Sequence, residues 1–246
     1  MDLLSFIYLG DINTKLSFLA ELTNEKWSST GRTDNNVLKN YLPYTFQKLY
    51  DENKVITTKE YCLFNTGLFT EYYEPIYAYC THNEAKGSQE WYLDKFCTDY
   101  DLGNIGVAER PERANYFQDP SLLILDVNCP INVQYKHILE DSDNLKRFPT
   151  TLQSSPMLCT LFKGAVETMK RKVMANYKLA VPQYFDGKIQ LLLPICLEHP
   201  DKADIALVVT KNADRGFYQG HTCLTMEMAY MNARLIAKPD SNWLSI

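Results

Sequence analysis

Long apolar runs, phosphate-cradling glycine motifs and paired metal-ligand cysteines are all missing from this chain of 246 residues, and each absence removes a class of protein. No stretch approaches the roughly 20 apolar residues that a membrane helix needs. The opening Met1–Gly10 is apolar but has no basic flank and carries Asp2, so neither a signal peptide nor a span is expected. The seven cysteines are scattered with no Cys-x-x-Cys pair, which argues against a zinc ribbon or a thioredoxin-like motif. The P-loop and dinucleotide glycine patterns are absent, as are His-x-x-x-His and paired-aspartate metal motifs, so no cofactor and no metal is expected. A basic excess is missing too. The net charge of −5 and pI near 5.4 argue against a generic nucleic-acid coat, although a local basic patch stays open. The four histidines, His82, His137, His199 and His221, have no local motif joining them to a nucleophile.

What the chain has is an ordinary apolar share of 46% and an aromatic excess, with 17 Tyr, 11 Phe and 3 Trp. Tyrosine rings pack apolar surface and present a polar tip, so they suit either a core or a stacking wall. Cys62, Cys196 and Cys223 sit in strand-like runs and read as small buried hydrophobes, a pattern that fits a reducing cytoplasm.

The fold expected is α+β: a single domain over 1–246, with 1–35 as an N-terminal extension and a mainly antiparallel sheet covered by a few helices. A helical piece falls near Leu16–Leu22. A second helix follows Asn35 or Asn36 as cap and carries Val37, Leu38, Tyr41, Leu42, Thr45, Phe46 and Leu49, with Pro43 expected to kink it or delay its start. Strands are expected at Val55–Thr58, Tyr61–Asn65, Pro75–Thr81 and Glu90–Cys97, with a turn at Thr66-Gly67 and a hairpin across His82–Gln89. Residues 100–156 read as loop-rich, with Leu122–Leu125 as their one strand. Then comes a long amphipathic helix near 157–178, strands at Ile189–Leu193 and Ile205–Thr210, a turn at Arg215–Gly220, and a C-terminal helix near 226–237. Lys163, Lys170, Arg171 and Lys178 form one arc of the long helix, read either as a solvated face or as a phosphate-facing stripe.

Polar residues inside apolar segments mark candidate sites, because an unpartnered buried polar group costs about 1–3 kcal/mol. Gln190, Glu227, Tyr230, Asn232 and Arg234 stand out. At about 100° per residue, Glu227, Tyr230 and Arg234 share one stripe and Asn232 lies nearly opposite Arg234. The trio is either an internal network or a ligand contact. The segment 108–117 gathers Glu109, Arg110, Glu112 and Arg113 beside Tyr116 and Phe117, as a salt-bridged loop or as an anion-binding surface. In Phe64-Asn65-Thr66-Gly67-Leu68, Asn65 either closes the turn or reads a polar ligand edge.

The runs Phe64–Leu68, Pro111–Phe117, His137-Ile138-Leu139, Arg147-Phe148-Pro149, Gln190–Pro194, Ala229–Ile236 and Asp240–Leu244, in that order, resemble the DUF3825 domain from about Leu19 to Leu244. That family is similar to the module found beside OST-HTH (LOTUS) domains, for which an RNA-related role has been proposed. The resemblance implies an RNA or nucleotide theme and supplies no catalytic residues.

The leading expectation is an RNA- or nucleotide-binding protein with no membrane partner. Arg110, Arg113 and Arg147 would take phosphates, Tyr116, Phe117 or Tyr218 would stack a base, and Asn65, Gln190 and Arg234 would read polar edges. One alternative is a phosphodiesterase or nucleotide hydrolase with Glu227 or a histidine as acid/base and Arg234 stabilising charge. The other is a protein-interaction module with a Tyr-rich docking face.

Overall fold

The short runs of β-branched and aromatic residues assemble into two five-stranded sheets, in a computed structural model that describes residues 1–85, 87 and 89–245. The chain divides into two compact units, Met1–Asn115 and Tyr116–Ile246, each built on its own sheet. The α+β class holds, but the one mainly antiparallel sheet expected from sequence becomes two mixed ones, each with a parallel edge strand. A parallel edge pairs residues far apart in sequence, so no local turn signal announces it.

The first unit contains α1 (Leu3–Phe6), β1 (Ile7–Tyr8), α2 (Ile12–Thr23), α3 (Asn36–Asp51), β2 (Ile56–Thr57), β3 (Tyr61–Phe69), β4 (Pro75–His82), β5 (Trp91–Cys97) and α4 (Asp99–Asn104). Its strand order is β1-β5-β4-β3-β2. β2 to β5 are antiparallel, and β1 joins β5 in parallel, Ile7 opposite Trp91. Residues 1–35 therefore supply an edge strand and two helices. β4 and β5 pair as the expected hairpin, while Lys86 and Ser88 of its turn lie outside the described residues.

The apolar stripe read on α3 is the buried one, from Val37 to Leu49. α3 packs on β3, with Phe46 edge-on to Phe64 at 5.2 Å. The helix begins at Asn36 and runs through Pro43. Proline has no N–H, so the Lys39 carbonyl loses its usual i+4 donor while the helix continues. Neither asparagine caps α3 with its side chain. Asn35 stands at the cap in left-handed conformation, and Asn36 instead locks the preceding loop, accepting from the Ser29 N–H and donating to its Oγ, both at 2.9 Å. The other face of the sheet buries Leu63, Tyr77 and Cys97 against Leu102 of α4 and Val107.

The second unit contains β6 (Ile131–Val133), α5 (Tyr135–Glu140), α6 (Ser142–Leu145), α7 (Leu158–Ala175), β7 (Val181–Phe185), β8 (Lys188–Ile195), β9 (Ile205–Asn212), β10 (Phe217–Leu224) and α8 (Met226–Arg234). The order β6-β10-β9-β8-β7 is antiparallel except for the β6–β10 edge. The strand expected at Leu122–Leu125 is instead a 3-10 turn, Pro120–Leu123, with Pro120 at its start and the Asp119 carboxylate accepting from the Ser121 N–H. The turn expected over Arg215–Gly220 is shorter, since β10 already begins at Phe217. β7 and β8 meet through Asp186 and Gly187, both at positive φ (48° and 74°), as a two-residue hairpin requires.

Leu158, Phe162, Val166, Met169 and Val173 of α7 pack onto Leu191, Leu193, Leu207 and Val209 of the sheet. Leu161 and Tyr177, at the same helical spacing, are exposed. The opposite face carries α8, which starts where the Thr225 side chain accepts from the Met228 N–H and ends at Arg234, short of the expected 237. Among the described residues, no helix is long and apolar enough to cross a membrane.

Candidate functional site

In the first unit, the Asn65 turn is closed from within. Asn65 is buried, accepts from the Gly67 N–H at 2.9 Å and donates to the Pro111 carbonyl at 3.1 Å. Gly67 has φ +76°, and a Cβ there would stand 2.7 Å from the Tyr41 hydroxyl, which donates to the Thr66 carbonyl. Arg113 joins the same turn. It donates to the Gly67 carbonyl at 3.2 Å, and its guanidinium lies 4.8 Å from the centre of the Phe69 ring. Arg110 stands elsewhere, on the Asp99 carboxylate and on the carbonyls of Val107, Glu109 and Asp99.

The rest of this segment is tied down similarly. Lys54 reaches Glu52 at 3.1 Å, Glu112 at 3.3 Å and the Arg113 carbonyl at 2.9 Å. The Tyr61 hydroxyl donates to Glu109 at 2.6 Å, and this contact pushes the phenol up to about 12 while lowering the Glu109 carboxyl. Arg110 thus takes part in a salt-bridged loop, whereas Arg113 rests on a backbone carbonyl and an aromatic ring.

In the second unit, Arg147 uses one guanidinium nitrogen on Asn144 (3.2 Å), Thr222 (2.9 Å) and the Cys223 carbonyl (2.6 Å). Tyr218 is buried in the α7-facing core, and its hydroxyl accepts from the Asp126 N–H at 3.0 Å. Burial drives the Cys223 thiol well above its usual range, as suits an inert core cysteine. Tyr116 is buried edge-on against Tyr184 at 5.0 Å.

The α8-facing side carries a polar rank across otherwise apolar strands. Asn232 donates to Gln183 at 3.2 Å, Gln183 donates to Gln190 at 2.7 Å, and Gln190 donates to Thr210 at 3.0 Å. This ties α8 to β7, β8 and β9. It sets Gln190 on the face opposite Tyr218, so the two cannot share one pocket. Of the stripe read on α8, Tyr230 and Arg234 are buried, Glu227 is exposed at the helix start, and Asn232 donates to Gln183.

One groove in this unit was not singled out from sequence. A groove of about 1130 Å³ runs beside α5 and the start of α7, lined by Gln134, Tyr135, Lys136, His137, Cys159 and Lys163 among others. Tyr135 packs edge-on against Phe162 at 5.5 Å, and the Lys163 ammonium stands 5.4 Å from the centre of its ring. Lys136 and His137 are exposed. Two carboxylates adjoin them. Glu140 faces Lys136 at 3.9 Å, and Asp141 accepts from the backbone N–H groups of Asp143 and Asn144 at 3.0 and 2.8 Å. Lys163 makes no ion pair among the described residues. Its place on the basic arc of the long helix was the available signal. α5 itself is six residues long, too short to show a period.

Among the described residues, no group of three His, Cys, Asp or Glu is placed to hold a metal ion. No curated protein and no solved structure matches the chain. A model of the family described as a domain of unknown function, DUF3825, matches residues 19–243. That match spans nearly the whole length and agrees with the ordered motifs read from the sequence, and the chain belongs to the DUF3825 family.

Proposed function

We propose that this protein binds RNA or a nucleotide-like ligand, and that the groove beside α5 and α7 is where it does so. The observation that carries this reading is Tyr135 with the Lys163 ammonium over its ring, in an open groove that also holds Lys136 and His137. An aromatic side chain beside cations is the elementary unit of single-strand binding: the base stacks and the cation neutralises phosphate. The groove's own acids compete weakly, since Asp141 is held by two backbone N–H groups and Glu140 stands 3.9 Å from Lys136. The arginines first expected to take phosphates are engaged elsewhere, so the reading moves from the loops to the basic arc of α7. The free cysteines fit a reducing cytoplasm, where such ligands are abundant.

Filter binding and calorimetry against RNA oligomers and a nucleotide panel test the proposal, using the full chain at low and moderate salt. Salt-sensitive binding is expected for at least one member, weakened by Lys163→Glu and by Lys136→Glu. Both side chains are exposed, so circular dichroism should show unchanged folding. Absence of salt-sensitive binding across the panel, or binding indifferent to both charge reversals, overturns it.

A further inference from the structure

We infer that the first unit carries a separate site for the aliphatic chain of a single-chain carboxylate, with Lys39 receiving the carboxylate. A pocket of about 390 Å³ lies between α1, β1, the start of α2 and the middle of α3. Its floor is aliphatic: Leu3, Ile7, Leu16 and Leu42 line it and are each at most 1% exposed. Its rim leaves apolar surface in water, with Leu4 55% and Tyr8 42% exposed. A volume of this order, mostly apolar with a few polar groups, is what small-molecule sites share.

The charge at the pocket selects the head group. Lys39 lines it and is the one cation among the lining residues. Its ammonium makes a long ion pair with Asp34 at 3.7 Å, beyond hydrogen-bond distance. Asp34 itself is held by two shorter bonds from Arg32, at 3.0 and 2.6 Å. Lys39 therefore stands beside aliphatic walls with one long ion pair, to a carboxylate that Arg32 already bonds twice. An aliphatic carboxylate satisfies both parts: the chain removes the exposed leucine surface from water, and the head pairs with the ammonium. A polar nucleotide would leave the aliphatic floor unmatched, so this site is independent of the groove in the second unit.

The test titrates the full chain with monomeric decanoate, decanol and acetate while following amide resonances by NMR, with anionic phospholipid vesicles as a separate arm. Decanoate is expected to shift the amides of Leu3, Ile7, Leu16 and Leu42 saturably, with acetate silent. Lys39→Gln should weaken decanoate about three- to tenfold, as one partly exposed ion pair allows, and leave decanol unchanged. Leu4→Glu, at an exposed rim position, should weaken decanoate more than decanol. The inference is overturned if decanoate shifts none of these amides. It is equally overturned if Lys39→Gln affects decanol and decanoate alike, or if only vesicles bind.

Discussion

Arg147 donates to the Cys223 carbonyl at 2.6 Å, and through that bond and its partners on Asn144 and Thr222 it fastens the turn after α6 to β10. A guanidinium committed to three acceptors within its own unit is an architectural group. Arg147→Ala takes the short donor from the Cys223 carbonyl in a half-buried place, while Asn144 still accepts from the Thr222 hydroxyl at 2.6 Å, and a loss of about 1–2 kcal/mol is expected. Urea denaturation measures it, and Arg147→Lys should recover less than half, because an ammonium cannot reproduce the planar fork. Unchanged stability in Arg147→Ala would remove the structural assignment.

The rank Asn232–Gln183–Gln190 makes a second measurable claim. Gln183 is almost wholly buried and serves both neighbours. Gln183→Leu keeps the volume but orphans two amides, at an expected cost of about 1–3 kcal/mol. A double-mutant cycle of Gln183→Leu with Asn232→Ala should show coupling of at least about 0.5 kcal/mol, the size typical of residues sharing a network. Additive effects would mean that α8 is held by its apolar contacts alone.

Gly67→Ala places a Cβ 2.7 Å from the Tyr41 hydroxyl at a φ of +76°. Strain and clash together should cost about 1–3 kcal/mol, read as a fall in thermal midpoint. Tyr41→Phe removes the clashing oxygen, so the double variant should be less destabilised than the two single losses summed. A double variant that loses the full sum would show the strain to be in the backbone only.

Tyr61 titrates later than an ordinary surface phenol, because its hydroxyl donates a hydrogen bond to the Glu109 carboxylate, which raises it to about 12 from 10.0. The stabilising contribution is whole below about pH 10, where both states keep the proton. Between about 10 and 12 the unfolded chain releases the proton while the folded one retains it, so stability falls as pH rises. In an alkaline titration of phenolate absorbance, Glu109→Gln should bring one late step down toward 10.0. An unchanged profile would deny the contact.

Much of the framework was legible in the sequence. The stripe Val37–Leu49 and the run Leu158–Val173 repeat at the helical period over three turns or more, which is enough for a packing face to declare itself. The strands from Tyr61 to Cys97 and the pair at Ile189 and Ile205 are apolar runs bounded by turn residues. The Asp186-Gly187 hairpin was not read from the sequence, although its dipeptide tolerates the two positive φ values it adopts. By contrast, β6 has three residues and α5 six, too few to express any period. The parallel edges join Ile7 to Trp91 and Ile131 to Tyr218 across long separations that leave no local trace.

The sequence by itself marked Asn65, Gln190 and Arg234 as polar residues in segments that pack, although Glu227, marked with them, is exposed and Gln183, not marked, is almost wholly buried. It did not determine their partners. A guanidinium or an amide meets a backbone carbonyl with the same geometry it would offer a phosphate or a base edge. Only the tertiary structure decided between them: it brought the Pro111 carbonyl to Asn65, Cys223 to Arg147 and Gln183 to Asn232. It also left Lys163 beside Tyr135 with no carboxylate partner among the described residues.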